Sequence, residues 1–200
     1  AASAAAAIRA GALDCFAFSP DALAELPRIV ERVMREWQVR QERKRAAERL
    51  ARINSCLLSL GTEPAENINR LTALCGELLE ADCVLYNRLE GGSLRALGQW
   101  GAPPDFAPLD SAAGHVCADV IARGASEAVF IEDLAASPYA DTDPNVRRFG
   151  LRAYLGQAVR CGETFAGSLC ALFRRPVALA EDDKRTLGIL ASAIGGEETR

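Results

Sequence analysis

Apolar positions along the 200-residue chain fall into distinct periodic patterns, and each predicts a different element. From Pro20 to about Leu60, Leu23, Leu26, Val30, Val33 and Trp37 recur at alternating three- and four-residue steps, the spacing of a coiled-coil seam on one long helix. Asp21 and Glu25 suit the positive N-terminal end of that helix. The seam breaks at the charged run Arg40–Arg45. Apolar positions resume at Leu50, Ile53, Leu57 and Leu60 one residue out of phase, a change that rewinds a coiled coil or marks where partners splay. Gly61 and Pro64 punctuate the helix, and Glu66–Ala81 then carries Ile68, Leu71, Leu74 or Cys75, and Leu78 on one stripe.

Beyond Ala81 the period shortens. Cys83–Leu89 and Leu94–Trp100 read as a hairpin around Gly91-Gly92, which supplies the positive φ values of a two-residue primed turn. Ala153–Arg160 and Phe165–Phe173 read as a second hairpin around Gly162-Glu163. With an unbroken ladder Cys170 stands opposite Leu155. Tyr154, Ala158, Leu169 and Phe173 then share one face, and Leu155, Val159, Cys170 and Leu172 the other. Strands apolar on both faces require cover on both sides. A short helix is expected from His115 to Arg123, and a last one opens on Glu181-Asp182-Asp183, turns Leu187, Leu190 and Ile194 inward and stops at Gly195-Gly196. The expected class is α+β: a central antiparallel β-sheet with helices on both faces, preceded by a long coiled-coil-like helix.

Composition narrows the chemistry. A net charge of −4 gives no reason to expect a nucleic-acid partner, whose recognition relies on clustered Lys and Arg facing phosphates. No segment is long and apolar enough to span a bilayer, and Ala1–Ala7 lacks the basic and apolar regions of a secretion signal. Seven cysteines, an odd number without CxxC spacing, point to reduced thiols in the cytoplasm rather than to disulfides or a metal site. Cys161 and Cys170 stand too far along the ladder to bridge. The alternate Asp141, Asp143 and Asn145 fail as a calcium loop, because Val146 and Arg152 occupy the positions of the required glycine and glutamate. Asp143 reads instead as a helix N-cap, with Pro144 at the first helical position and Gly150 ending the turn.

His115 is the one histidine, and at a helix start the exposed N–H groups favour its neutral ring. Cys117, in the same first turns, is either a thiol activated by the helix field or a small buried hydrophobe; a cap at Asp110 or Ser111 would set it deeper. The chain has no nucleophile elbow, P-loop or GxGxxG after a strand, so no catalytic set is assigned and no enzyme is expected.

The segments VLYNRLEGG, GHVCADVIARG, AVFIEDL, SPYADTDPNVRRFGLRAYLGQAVRC and GSLCALF, in that order, resemble the GAF family of small-molecule sensing domains of bacterial signalling proteins, over Pro64–Arg200. The resemblance implies a GAF-like regulatory module with an unidentified small-molecule ligand, and it names no cofactor. In that family the region around Ser137–Gly150 helps to form a lid, which makes Tyr139, Asn145 and Arg147 candidates for contacting an anionic or polar ligand. The expected cavity lies between the sheet and the segments Trp100–Phe106, Gly114–Arg123 and Ser137–Gly150, bringing Trp100 and Phe106 beside His115 and Cys117. Gly-His-Val-Cys does not reproduce the bilin-anchoring signature, and the motif of the cyclic-nucleotide members is missing. Some GAF-like proteins reduce free methionine sulfoxide; Cys117 is the residue near an equivalent place, while resolving cysteines lie elsewhere.

Upstream, AIRAGALDCFAFSPDALAELPRIVERVMRE resembles the final strand and helix of a response-regulator receiver domain, with Gly11–Phe18 at the strand. Phe18 or a near neighbour stands where a receiver carries lysine, so no phosphotransfer is expected within the chain. The resulting division is a receiver-like remnant at 1–19, a linker and dimerisation helix at 20–62, and a GAF-like sensory domain at 63–200. A homodimer is expected through the linker helix and the first and last helices of the domain, in a two-component signalling protein.

Overall fold

The computed structural model describes residues 2–12, 15, 20–124 and 126–200. Two compact units result, Ala1–Asn54 and Ser55–Arg200. The first contains α1 (Ala2–Arg9) and most of α2 (Pro20–Leu58), the long helix that the heptad spacing predicts. Most of the expected strand at Gly11–Phe18 lies outside the described residues. Val30 and Trp37 of the seam are 49% and 46% exposed.

The second unit contains α3 (Pro64–Leu79), β1 (Cys83–Glu90), β2 (Ser93–Trp100), β3 (Leu109–Ser111), α4 (Val116–Arg123), β4 (Val129–Ile131), α5 (Tyr139–Thr142), α6 (Pro144–Arg148), β5 (Ala153–Cys161), β6 (Thr164–Phe173) and α7 (Glu181–Glu198). The strands make one six-stranded sheet in the order β3-β2-β1-β6-β5-β4, antiparallel at every junction. α3 and α7 pack side by side on one face, and α4 covers the other against β5 and β6. Helices on both faces explain why the central strands are apolar on both sides. The edge strands β3 and β4 span only 109–111 and 129–131, too short for the periodicity to register.

Both hairpins close through the two-residue turns expected, with Glu90 opposite Ser93 and Cys161 opposite Thr164. The β5/β6 register, however, shifts between Val159 and Arg160: Arg160 faces Phe165 but Val159 faces Gly167, leaving Ala166 as the extra residue of a bulge. Cys170 therefore faces Gly156 rather than Leu155. A one-residue slip exchanges the faces. Tyr154 and Ala158 share theirs with Cys170 and Leu172, beneath α4, while Leu155 and Val159 join Leu169 and Phe173 on the α7 side.

The expected stop at Gly195-Gly196 is also corrected, since α7 continues through both glycines to Glu198. A Cβ on Gly195 would meet the Arg160 carbonyl oxygen at 2.2 Å, so this glycine allows the helix to approach β5 rather than ending it. The extended helix end closes the unit. The Asn67 side-chain amide donates to Glu197 at 2.7 Å and to the Gly61 carbonyl at 3.0 Å, while its oxygen accepts from the Gly61 N–H at 2.9 Å.

Candidate functional site

Asp143 organises the connections above the α4 face. Its side chain accepts from the Asn145 N–H at 3.0 Å, capping α6 as the sequence predicts, and from the Val116 N–H at 3.2 Å, capping α4 as well. Pro144 occupies the first turn of α6. Thr142 donates to the Gly114 carbonyl at 3.0 Å, and Tyr139 donates to Asp119 at 2.8 Å. These bonds fasten α5 and α6 over the start of α4.

Beneath them lies a small cavity of about 50 Å³. Leu85, Leu94, Phe106, Leu134, Leu151 and Leu172 make most of its wall, and Ala107, Pro108 and Asp110 form an exposed rim. Polar groups converge inside: Asn87 from β1, His115 and Cys117 at the start of α4, Asn145 from α6, Tyr154 from β5 and Cys170 from β6. An apolar wall with a few placed polar groups is the usual form of a small-molecule site.

His115 is buried between two carboxylates, with Nδ1 3.3 Å from Asp143 Oδ1 and Nε2 3.5 Å from Asp110 Oδ2. The hydrogen bond with Asp143, opposed by burial and helped by both negative charges, raises the imidazole above its ordinary value of 6.5. The helix start alone favours a neutral ring, and the two carboxylates act in the opposite direction. The backbone dipole is outweighed by carboxylates that other segments bring in. With two carboxylates beside one imidazole, the polar end of the cavity carries no surplus positive charge in either form of the ring, which suits a neutral or cationic ligand better than an anion.

Cys117 and Cys170 lie in the cavity wall with their sulfurs 3.5 Å apart, and neither is bonded in a disulfide. Asn87 Nδ2 donates to the Cys117 sulfur at 3.4 Å, and the Tyr154 hydroxyl lies 3.6 Å from it and 3.4 Å from Ser168 Oγ. The contact with the Cys170 sulfur, with further help from Tyr154 and Asn87, outweighs burial and lowers the Cys117 thiol below its ordinary range. Its partner moves the other way: the same contact and burial push Cys170 well up. Burial drives Cys75 and Cys83 up to about 12.

Of the residues singled out from sequence, Phe106, His115, Cys117 and Asn145 meet in this cavity. Trp100 does not. It pairs with Val84 on the opposite face of the sheet, where its ring lies over Gly76 of α3. Tyr139 sits outside, bonded to Asp119, and Arg147 is turned to solvent in an ion pair with Asp141. Arg148 holds the rim segment instead, donating to the Asp105 carbonyl at 2.9 Å. Asn87, Tyr154 and Cys170 were not foreseen at the site. Asn87 carried a signal, an amide inside the apolar run VLYNRL; the other two depended on the bulge. Among the described residues no group of three or more His, Cys, Asp or Glu is placed to hold a metal ion, and no helix is long and apolar enough to cross a membrane.

A family model described as GAF domain matches residues 63–197. The chain belongs to the GAF domain family. Its fold is similar to the GAF domain of a phosphoenolpyruvate-protein phosphotransferase from Acinetobacter, with a TM-score of 0.64 and 16% identity over 76% of this chain and 92% of that one. It is also similar to the free methionine-R-sulfoxide reductase from Neisseria meningitidis bound to its substrate, with a TM-score of 0.60 and 19% identity over 73% and 83% of the two chains. The nlh2 GAF domain of A. aeolicus in an inactive state gives a TM-score of 0.60 at 12% identity, over 76% and 96%. At these identities the likeness is one of fold. No curated protein matches the chain in sequence. The GAF match begins at residue 63 and lends no support to the receiver resemblance upstream. GAF domains are general sensory and regulatory modules, and the cavity under α5 and α6 is where this one presents polar groups to its interior.

Proposed function

We propose that this GAF domain is a sensor whose cavity holds a small neutral or cationic molecule with several hydrogen-bonding groups, and that occupancy is passed to α2. The observation that carries the reading is the convergence of His115, Asn145 and Asn87 inside an apolar cavity roofed by α5 and α6. A ligand there touches Asn145 in the roof and His115 at the α4 cap together, so the Asp143 junction is where occupancy alters helix packing. The last turn of α2 is joined to the domain through Ser59, whose carbonyl accepts from Arg70 of α3 at 2.8 Å. We place the module in a bacterial signalling protein of the two-component kind, a setting that rests on the sequence resemblance of residues 1–19. The unbonded thiols Cys75, Cys83, Cys117 and Cys170 favour a reducing compartment, the cytoplasm.

The test is native mass spectrometry of the purified protein, followed by a thermal-shift screen of small polar metabolites. A bound or stabilising compound whose effect is lost in Asn145→Ala and His115→Ala supports the reading. Steady turnover of free methionine-R-sulfoxide by the native protein, abolished in Cys117→Ser, would instead make the domain an enzyme.

A further inference from the structure

An amide and a phenol meet one buried sulfur. Asn87 donates to Cys117 at 3.4 Å and the Tyr154 hydroxyl lies 3.6 Å from it, inside a cavity whose wall is otherwise mainly Leu and Phe. A neutral thiol is a weak acceptor. Burying an amide and a phenol against it returns little for the water they give up. The same set is well matched to a thiolate, which accepts strong charge-assisted bonds. The second sulfur stands at 3.5 Å, and the exposed rim at Ala107, Pro108 and Asp110 opens the cavity to small solutes.

We propose that Cys117 and Cys170 form a redox-active dithiol in the cavity wall, converted by a hydroperoxide to an intramolecular disulfide. The Cys117 thiolate attacks the terminal oxygen of the hydroperoxide, the O–O bond breaks, and the alkoxide or hydroxide leaves and takes a proton. The product is a Cys117 sulfenic acid. The Cys170 sulfur then attacks Cys117 Sγ, the S–O bond breaks, and the departing hydroxide takes the Cys170 proton and leaves as water. Two thiols have lost two electrons, and the peroxide has become one alcohol, or water, and one further water. Cys117 is the attacking sulfur because the Asn87 amide lies nearer to it, at 3.4 Å against 3.9 Å for Cys170, and because it stands in the first turn of α4; Cys170 resolves from 3.5 Å away.

Closure to a bond of about 2.05 Å draws the first turn of α4 toward β6 and removes the anion that Asn87 and Tyr154 serve. Oxidation therefore reshapes the wall that a ligand would touch, although the dithiol does not depend on a ligand being bound. Other cysteines are not equivalent: Cys75 is buried on α3, on the opposite face of the sheet, and Cys161 lies beside Tyr86.

The experiment treats the reduced full chain with equimolar hydrogen peroxide, blocks remaining thiols with N-ethylmaleimide and maps peptides without reduction. The expected result is a linked pair of peptides carrying Cys117 and Cys170, two hydrogens lighter than their sum and separated again by dithiothreitol. In Cys170→Ser the sulfenic acid at Cys117 persists and is trapped by dimedone; in Cys117→Ser most peroxide consumption is lost. A native map in which both residues stay alkylated while peroxide is consumed overturns the proposal, as does a link through Cys83 or between two chains. The native map decides even where a serine variant fails to fold.

Discussion

Asp143 accepts hydrogen bonds at the starts of two helices and faces His115 across 3.3 Å. Replacing it by Ala removes two caps in a buried place, and the expected loss is about 2–4 kcal/mol in chemical denaturation. Asp143→Asn retains an acceptor for both N–H groups and is expected to lose less, while removing the charge beside His115. The histidine itself gives a pH signature. Its folded value is raised above 6.5, so the folded protein binds the proton more tightly than the unfolded chain. The stabilisation is complete below about pH 6.5 and fades as pH climbs through the raised folded value. The stability difference between native protein and His115→Gln, measured by urea melts across pH 5.5–8.5, is expected to shrink toward alkaline pH; a difference that grows would overturn the assignment. Only part of this was legible locally. Asp143 as a cap, with Pro144 after it, was written in neighbouring residues, whereas its reach to Val116 and His115 depends on how distant segments fold together.

The same boundary between local and distant information runs through the secondary structure. Both hairpin turns, the long helix and the opening of α7 follow from residues adjacent in sequence, and the structure has them where the pattern placed them. The bulge at Ala166 has no such marker, and it moves Cys170, Leu172, Leu169 and Phe173 to the faces opposite those of an unbroken ladder. The meeting of Tyr154 and Cys170 on one face was hidden by that one residue. Gly195 and Gly196 offer a paired test of why α7 continues past them. Gly195→Ala drives a Cβ into the Arg160 carbonyl and is expected to cost about 1–3 kcal/mol. Gly196→Ala meets nothing within 4 Å, so helix propensity should give a gain of up to about 0.5 kcal/mol. Opposite shifts in melting temperature for two adjacent glycines would establish that the first is a contact and the second is not.

For the molecule as a whole, the exposed seam positions on α2 are the feature that invites a second helix. Val30 and Trp37 are nearly half exposed at seam positions, and burying each apolar side chain of the seam against a second helix is worth about 1.5–3 kcal/mol. A parallel homodimer is the expected solution state. Light scattering at micromolar concentration should give twice the 21.4 kDa chain mass, and the Leu26→Asp, Val33→Asp double variant should run as a monomer with its GAF domain still folded.

The amide of Asn67 bonds both backbone groups of Gly61 and also Glu197, and Arg200 reaches the same Gly61 carbonyl at 3.2 Å. The domain is thus a bracelet: entry and exit are fastened at one bead, on the side of the sheet away from the cavity. A bracelet can be cut elsewhere. Joining residue 200 to residue 61 through a short peptide and opening the chain in the Gly91-Gly92 turn leaves every strand pairing intact, which makes this sensor a natural insert for a loop of another protein.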